Sequence, residues 1–232
     1  MAPDALSRRR TALAIFARTP GLSPAKTRLA AGIGAEAAAE FGRLALDAVE
    51  AVVRAACMEL PGLVPVWAVT EREGLGHPRW RGFPALWQGD GGLGTRMATT
   101  YEALRAEHGA AILVGSDLPL LAPAHLALAV RHLAEPATPY VLGPALDGGF
   151  YLFGGRAALP REAWEGVPYG TEGTVAAFRA AVGEHGPLAE LEALPDVDVA
   201  EDLPRLLAAA AGRPGLLPAQ AALLAWAGRV FG

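Results

Sequence analysis

Cysteine is almost absent from the chain: Cys57 is the only one among 232 residues. An intrachain disulfide and a cysteine-built metal centre are therefore excluded. Cys57 stands beside Ala55, Ala56 and Met58, a pattern that reads as a buried structural thiol on a helix, since reactive thiolates need an electropositive setting. Such usage fits a reducing compartment, and a cytoplasmic location is expected. Long apolar runs are missing too. Thr11 to Ala17 follows Arg8, Arg9 and Arg10 and resembles the start of a signal peptide, but it is only seven residues long and stops at Arg18. That is the lower edge of a secretory core of about 7–15 residues, so residues 1–10 read as a frayed tail before a first strand. Nothing reaches the roughly 20 apolar residues of a membrane span. Positive charge is also scarce. The net charge of −4 argues against a nucleic-acid partner, because duplex binding draws on counterion release at a basic surface.

What is present is a core. Hydrophobic residues make up 52% of the chain, enough for a globular fold, and the length suits one domain over residues 1–232. Strand and helix patterns alternate. Strands are expected at Thr11–Ala17, Leu63–Thr70, "ALWQ", Ala110–Gly115, "PYVLGPA", "GFYLFGG" and "LEALP". Helices are expected at Ala35–Met58, Thr95–Glu107, Pro123–Glu135, Thr174–His185, Glu201–Ala211 and, as an extra C-terminal element within 213–232, Pro218–Val230. That alternation implies an α/β fold with a mostly parallel sheet covered on both faces. Ligands in such sheets lie beyond the carboxyl ends of the strands. Lys26, Asp117, Asp147 and Asp198 all follow strand-like runs.

The stretch "TPGLSPAKTRLAAG", Thr19 to Gly32, admits three readings. A P-loop needs G-x-x-x-x-G-K-[ST]; Lys26-Thr27 supplies the ending, but Ala25 replaces the second glycine and Pro24 removes a backbone donor. A plain turn would use Pro20-Gly21 and Ser23-Pro24 and leave Lys26 and Arg28 in solvent. In the third reading the loop wraps the phosphates of a nucleotide, with lysine as a compact charge and arginine as a planar fork.

"AIFARTPG…KTRLAAGIG", "GLGTRM", "LVGSDLPLL", "LGPALDGGFYLFG" and "DVDVAEDL" stand in that order between about Thr11 and Leu203. With them the chain resembles the bacterial glycosyltransferase-like family of the nucleotide-diphospho-sugar transferase superfamily, whose members often carry a label of unknown function. The phospholactate and molybdenum-cofactor guanylyltransferases look like more distant relatives. The resemblance implies a three-layer α/β/α sandwich of the GT-A type and a nucleotide-binding loop that includes Arg18, Gly21, Lys26, Thr27 and Arg28. The family usually has lysine where this chain has Arg18, "LSPA" looks like an extension, and its Trp-Ser-Thr passage appears here as Tyr169-Gly170-Thr171.

The acids complete the pattern. Asp117 ends an apolar strand, where a carboxylate needs a cation or a hydrogen-bonding partner. Mg2+ (or Mn2+) is commonly held by one or two carboxylates plus substrate phosphates, so Asp117 is the leading metal ligand; a helix cap for the segment at Pro123 is the bland alternative. Asp198, within "PDVDVAEDL", is the second metal ligand by resemblance, and the same acids would also suit the positive end of a helix. Asp147, Gly148 and Gly149 line the acceptor site by resemblance, or form a tight turn. Gln88, Gly94 and Thr95 are similar in spacing to the base contacts of sugar-nucleotide pyrophosphorylases. His125 and His132 read as partly exposed, and neither Ser23 nor Ser116 belongs to a recognised nucleophile motif.

The expectation is a divalent-metal-dependent transferase with Lys26, Arg28 and Asp117 as catalytic residues. Nucleotidyl transfer from a nucleoside triphosphate to a small-molecule acceptor leads, ahead of glycosyl transfer from a nucleotide sugar. A P-loop-like kinase and a non-catalytic nucleotide-binding protein are the other readings. The apolar C-terminal helix, with Leu223, Leu224, Trp226 and Phe231, would cover either its own core or a partner copy.

Overall fold

The computed structural model of the protein describes residues 10–23 and 26–231. The expected tail, apart from Arg10, and Pro24-Ala25 of the "LSPA" extension lie outside the described residues. The strands are β1 (Thr11–Ala17), β2 (Leu63–Val69), β3 (Ala85–Trp87), β4 (Ala110–Gly115), β5 (Tyr140–Pro144), β6 (Phe150–Gly155) and β7 (Leu188–Glu190). They form one sheet in the order β3-β2-β1-β4-β6-β5-β7. Four of the pairings are parallel, whereas β6 runs antiparallel to both β4 and β5. The helices are α1 (Thr27–Ile33), α2 (Ala35–Glu59), α3 (Leu93–His108), α4 (Pro123–Ala134), α5 (Glu162–Glu165), α6 (Thr174–Gly183), α7 (Asp202–Ala210) and α8 (Pro218–Phe231).

Strand period places alternate side chains on opposite faces. Leu13, Ile15, Ile112 and Val114 pack on one face against Val49, Val52 and Val53 of α2 and Leu126 and Ala129 of α4. Ala12, Ala14, Ala111 and Leu113 face Met97, Tyr101 and Leu104 of α3, Trp164 of α5 and Phe178 of α6. Both faces of the central strands are thus dry, and each fully buried leucine or isoleucine contributes about 1.5–3 kcal/mol. The result is the three-layer sandwich, of GT-A type.

A third cluster joins α1, α2, α7 and α8 through Leu29, Phe41, Leu203, Leu206, Leu223 and Trp226. The apolar face of α8 is therefore spent on the chain's own core, with Phe41 and Trp226 ring centroids 5.9 Å apart. Val230 and Phe231 are left exposed. Among the described residues, no helix is long and apolar enough to cross a membrane.

Three local expectations are corrected. The last strand is Leu188–Glu190 and not "LEALP"; of the latter, Leu194 makes only an isolated bridge to Ala145, while Glu192 and Ala193 bow out into solvent. Two short apolar–acidic alternations lie side by side, and periodicity alone cannot choose between them. Residues 27–33, read as loop, form α1. His125 is buried and not at the surface: its Nδ1 accepts the Ala122 N–H (2.8 Å), and its Nε2 lies 2.6 Å from Glu192.

Candidate functional site

β1, β2 and β4 are parallel and in register, so Ala17, Val69 and Gly115 end at one edge of the sheet. β5 ends at the same edge, because two successive antiparallel pairings restore its direction. The Ala145–Leu194 bridge then brings residues 194–198 alongside. Topology alone therefore gathers the loops carrying Lys26, Asp117, Asp147 and Asp198.

Lys26 is the hub. Its Nζ lies 2.9 Å from Asp117 Oδ2 and 3.4 Å from Asp198 Oδ1, and it also donates to the Val197 carbonyl. The lysine side chain is only 6% exposed, against 45% and 47% for the two aspartates. Burial opposes its charge, but the two carboxylates outweigh burial and raise its pKa above the ordinary lysine value. The stability this contributes is full below the unfolded lysine value and is lost as pH rises through the higher folded one. Among the described residues, Lys26 is the one non-glycine with positive φ (56°), a left-handed conformation that costs roughly 1–2 kcal/mol. Its carbonyl accepts the first helical bond of α1, from Ala30 N–H at 2.8 Å, and its Nζ stands 5.7 Å from the Phe41 ring.

The other residues fall around this hub. Arg28, on the first turn of α1, approaches Asp198 Oδ2 at 3.3 Å and is otherwise solvent-facing. Asp202 Oδ2 accepts the N–H groups of Asp198 and Val199 at 2.9 and 3.0 Å, so Asp202 closes the turn into α7 and Asp198 is left to the cations. Asp117 does not cap α4, whose preceding residue Ala122 is served by His125. Asp196, two residues before Asp198, is partly buried. Burial, Asp147 and Asp198 push its carboxyl up to about 6, against weaker opposing effects of its own backbone and Lys26.

At the rim, the Asp147 carboxylate accepts the Gly149 N–H at 2.8 Å, an Asx-type turn. Gly148 has φ +92°, and a Cβ there would lie 2.4 Å from the Glu172 carbonyl. The turn and the exposed carboxylate thus coexist. Arg18 is exposed and reaches Ser23 at 3.4 Å, Gly21 occupies the exposed turn beyond it, and Thr27 is exposed at the start of α1.

The passage Gln88–Thr95 is committed to the protein. The buried Gln88 amide donates to Ala68 O (2.7 Å), and its oxygen faces Thr70 Oγ1 at 3.4 Å. Thr95 Oγ1 donates to Glu165 (2.9 Å), while Gly94 packs against α5. Among the described residues, no hydrogen bond or ion pair joins the Gln88 or Thr95 side chain to the Lys26 cluster. A further contact had no sequence signal: Glu71, just past β2, accepts from Thr19 N–H at 2.7 Å and from the Ser23 hydroxyl.

Asp117 and Asp198 direct hard oxygen donors at one buried cation, a donor set that suits Mg2+ or Mn2+ when phosphates supply the remaining ligands. Among the described residues, no three acidic, histidine or cysteine side chains form a self-sufficient ion site. Cavities of about 350 and 330 Å3 lie elsewhere, one between α5 and α6, the other at the opposite end of the sheet beside Thr11 and Ala110.

The sheet and its covering helices have the nucleotide-diphospho-sugar transferase (GT-A) type of fold. The chain belongs to the family described as "uncharacterized protein conserved in bacteria (DUF2064)", whose model matches residues 55–171. Among solved structures it is similar to a protein from Desulfovibrio desulfuricans G20 provisionally described as a nucleotide-diphospho-sugar transferase, with a TM-score of 0.77, 22% identity, and coverage of 95% of this chain and 96% of that one. It is also similar to a nucleotidyl transferase from Methanothermobacter (TM-score 0.55, 19% identity, 85% and 95% covered). Glucosyl-3-phosphoglycerate synthase from Mycobacterium tuberculosis, solved with UDP, shares the fold as well (TM-score 0.52, 13% identity, 97% and 82% covered). No curated protein matches the chain in sequence.

Proposed function

We propose that the protein is a divalent-metal-dependent transferase that uses a nucleotide donor, and that it transfers a nucleotidyl group from a nucleoside triphosphate to a small-molecule acceptor. One observation carries the reading: a buried lysine ammonium sits between two carboxylates from distant parts of the chain, Asp117 and Asp198, at the ligand-binding edge of the sheet. The fold supports it, since nucleotidyl- and glycosyltransferases share this architecture.

Asp117 and Asp198 would hold Mg2+ or Mn2+, which when bound supplies charge neutralisation at the phosphates. Lys26, now the counter-ion of those acids, would turn its ammonium to the phosphate oxygens as the donor arrives. Arg28, its guanidinium largely in solvent, would clasp a second phosphate, and Arg18 would add charge at the mouth of the loop. The acceptor oxygen would attack the α-phosphorus from the side of Asp147, Gly148 and Gly149, and pyrophosphate would leave. The chemistry is positioning and electrostatics, without a covalent nucleophile. Gln88, Gly94 and Thr95 would frame the base side, through backbone groups where their side chains are engaged.

Product analysis tests the reading. The protein is incubated with Mg2+, a panel of nucleoside triphosphates and nucleotide sugars, and a panel of small phosphorylated and hydroxylated acceptors. Pyrophosphate release supports nucleotidyl transfer. Release of a nucleoside diphosphate from a nucleotide sugar replaces it with glycosyl transfer, the chemistry of the glucosyl synthase that shares the fold. Transfer of a terminal phosphate would mean a kinase, and binding without turnover a non-catalytic protein.

A further inference from the structure

We infer that Glu71 is a positioning residue for the nucleotide loop: its carboxylate holds residues 18–23 in one shape, so that this part of the loop keeps its backbone fold when the donor arrives. The inference rests on the nucleotide-loop reading above. Glu71 follows Thr70, whose N–H donates to Ala17 O at 3.0 Å, so the carboxylate starts from a base where the ends of β1 and β2 are tied together. One of its oxygens accepts the Thr19 N–H at 2.7 Å, and the other accepts the Ser23 hydroxyl. It thereby bridges both sides of the Thr19–Leu22 turn, itself closed by a Leu22 N–H bond to Thr19 O at 3.2 Å.

Two facts make this a clamp and not a carboxylate resting where a phosphate would bind. Thr19 is fully buried, so the N–H that it donates to Glu71 is closed off from solvent. The segment after Glu71 is packed on Thr19 as well: a Cβ on Gly74 would fall 2.1 Å from Thr19 Oγ1. Burial pushes the Glu71 carboxyl up, but the bonds from Ser23 and Thr19 outweigh it and hold the group below the usual glutamate range. Glu71 is therefore ionised at neutral pH, and both bonds are charge-assisted, the stronger kind. Among the described residues, 18–23 include Pro20 and Gly21 and have no strand partner, so an anchor from outside the loop suits them. Downstream, Lys26 holds a left-handed conformation that persists only when its surroundings enforce it.

The test uses the full chain and the variants Glu71→Ala, Glu71→Gln and Ser23→Ala. Amide hydrogen exchange over residues 18–23 is measured without ligand, and affinities for ATP, GTP, CTP and UTP with Mg2+ are measured by calorimetry. In Glu71→Ala the Thr19 amide should exchange about 10- to 100-fold faster, and the affinity of the preferred nucleotide should fall about tenfold. Glu71→Gln, which keeps an acceptor for Thr19 and an amide for Ser23, should restore most of both. Ser23→Ala, which removes one bond, should lie between and serves if Glu71→Ala does not fold. Unchanged exchange in Glu71→Ala overturns the clamp. Tighter nucleotide binding in that variant also overturns it, since the carboxylate would then be occupying a phosphate's place. If no nucleotide binds the wild type, the proposed function fails, and the exchange result still decides whether Glu71 holds the loop.

Discussion

Lys26→Met separates stability from function at the hub of the site. The substitution keeps most of the buried stem and removes the ammonium that neutralises Asp117 and Asp198. A full Coulomb term at such distances would be about 5–6 kcal/mol per pair at an effective dielectric of 20. Both carboxylates are nearly half exposed, at 45% and 47%, and water screens them. Exposed partners bring a pair down to about 0–1 kcal/mol, so the two together lose at most about 2 kcal/mol. For a chain of this length that lowers Tm by at most about 8 °C.

The wild type alone should also show an alkaline loss of stability, because the raised Lys26 pKa contributes only while the ammonium stays charged. Nucleotide affinity should respond far more strongly. A buried cation lost from the phosphates should cost about 100-fold or more, comparable with removal of one oxyanion-hole donor. Thermal unfolding from pH 7 to 11, combined with calorimetric titration of Mg-nucleotide, checks both arms. Nucleotide binding within twofold of wild type in Lys26→Met would refute the assignment of Lys26 to the phosphates.

Three further outcomes follow from the same geometry. Asp196→Asn in metal-free buffer should remove a group whose carboxyl is pushed up to about 6. The native state binds that proton more tightly than the unfolded chain, so wild-type stability falls as pH rises from about 4 to about 6; screened by solvent, the gap in favour of the variant at pH 7 should be about 1–2 kcal/mol and should vanish at pH 4 in thermal melts. Gly94→Ala should destabilise by about 1–3 kcal/mol in urea titrations, since a Cβ there would lie 2.6 Å from the Trp164 carbonyl, which cannot rotate away. Gln220→Leu should cost about 2–5 kcal/mol in the same assay, because the buried amide donates to Pro119 O (2.7 Å) and Leu121 O (2.8 Å) just beyond Asp117, and both carbonyls would lose their donor.

β1 and β4 are legible in the sequence because each is an unbroken apolar run stopped by a polar residue, at Arg18 and at Ser116. The edge that gathers Lys26, Asp117, Asp147 and Asp198 is legible for the same reason: strand ends are visible, and parallel pairing sends them to one side. α1 is not, because Lys26-Thr27-Arg28 has the letters of a phosphate loop and a seven-residue helix gives too few turns for periodicity to register. The respective roles of Asp198 and Asp202 are also hidden: both sit in one acidic run, and only the backbone turn shows that Asp202 closes it. Glu71 and His125 are illegible for a further reason. Their partners, Thr19 and Ser23 for the one and Glu192 for the other, lie far away along the chain, and no spacing rule encodes a contact made by sheet topology.

A crystal of the protein grown with Mn2+ and a non-hydrolysable nucleoside triphosphate, with data collected for manganese anomalous scattering, addresses the central claim most directly. An anomalous peak between Asp117 and Asp198, with phosphate oxygens within hydrogen-bond distance of Lys26 Nζ, is the predicted result. A nucleotide bound away from that edge, with Lys26 still paired to both aspartates, would contradict it.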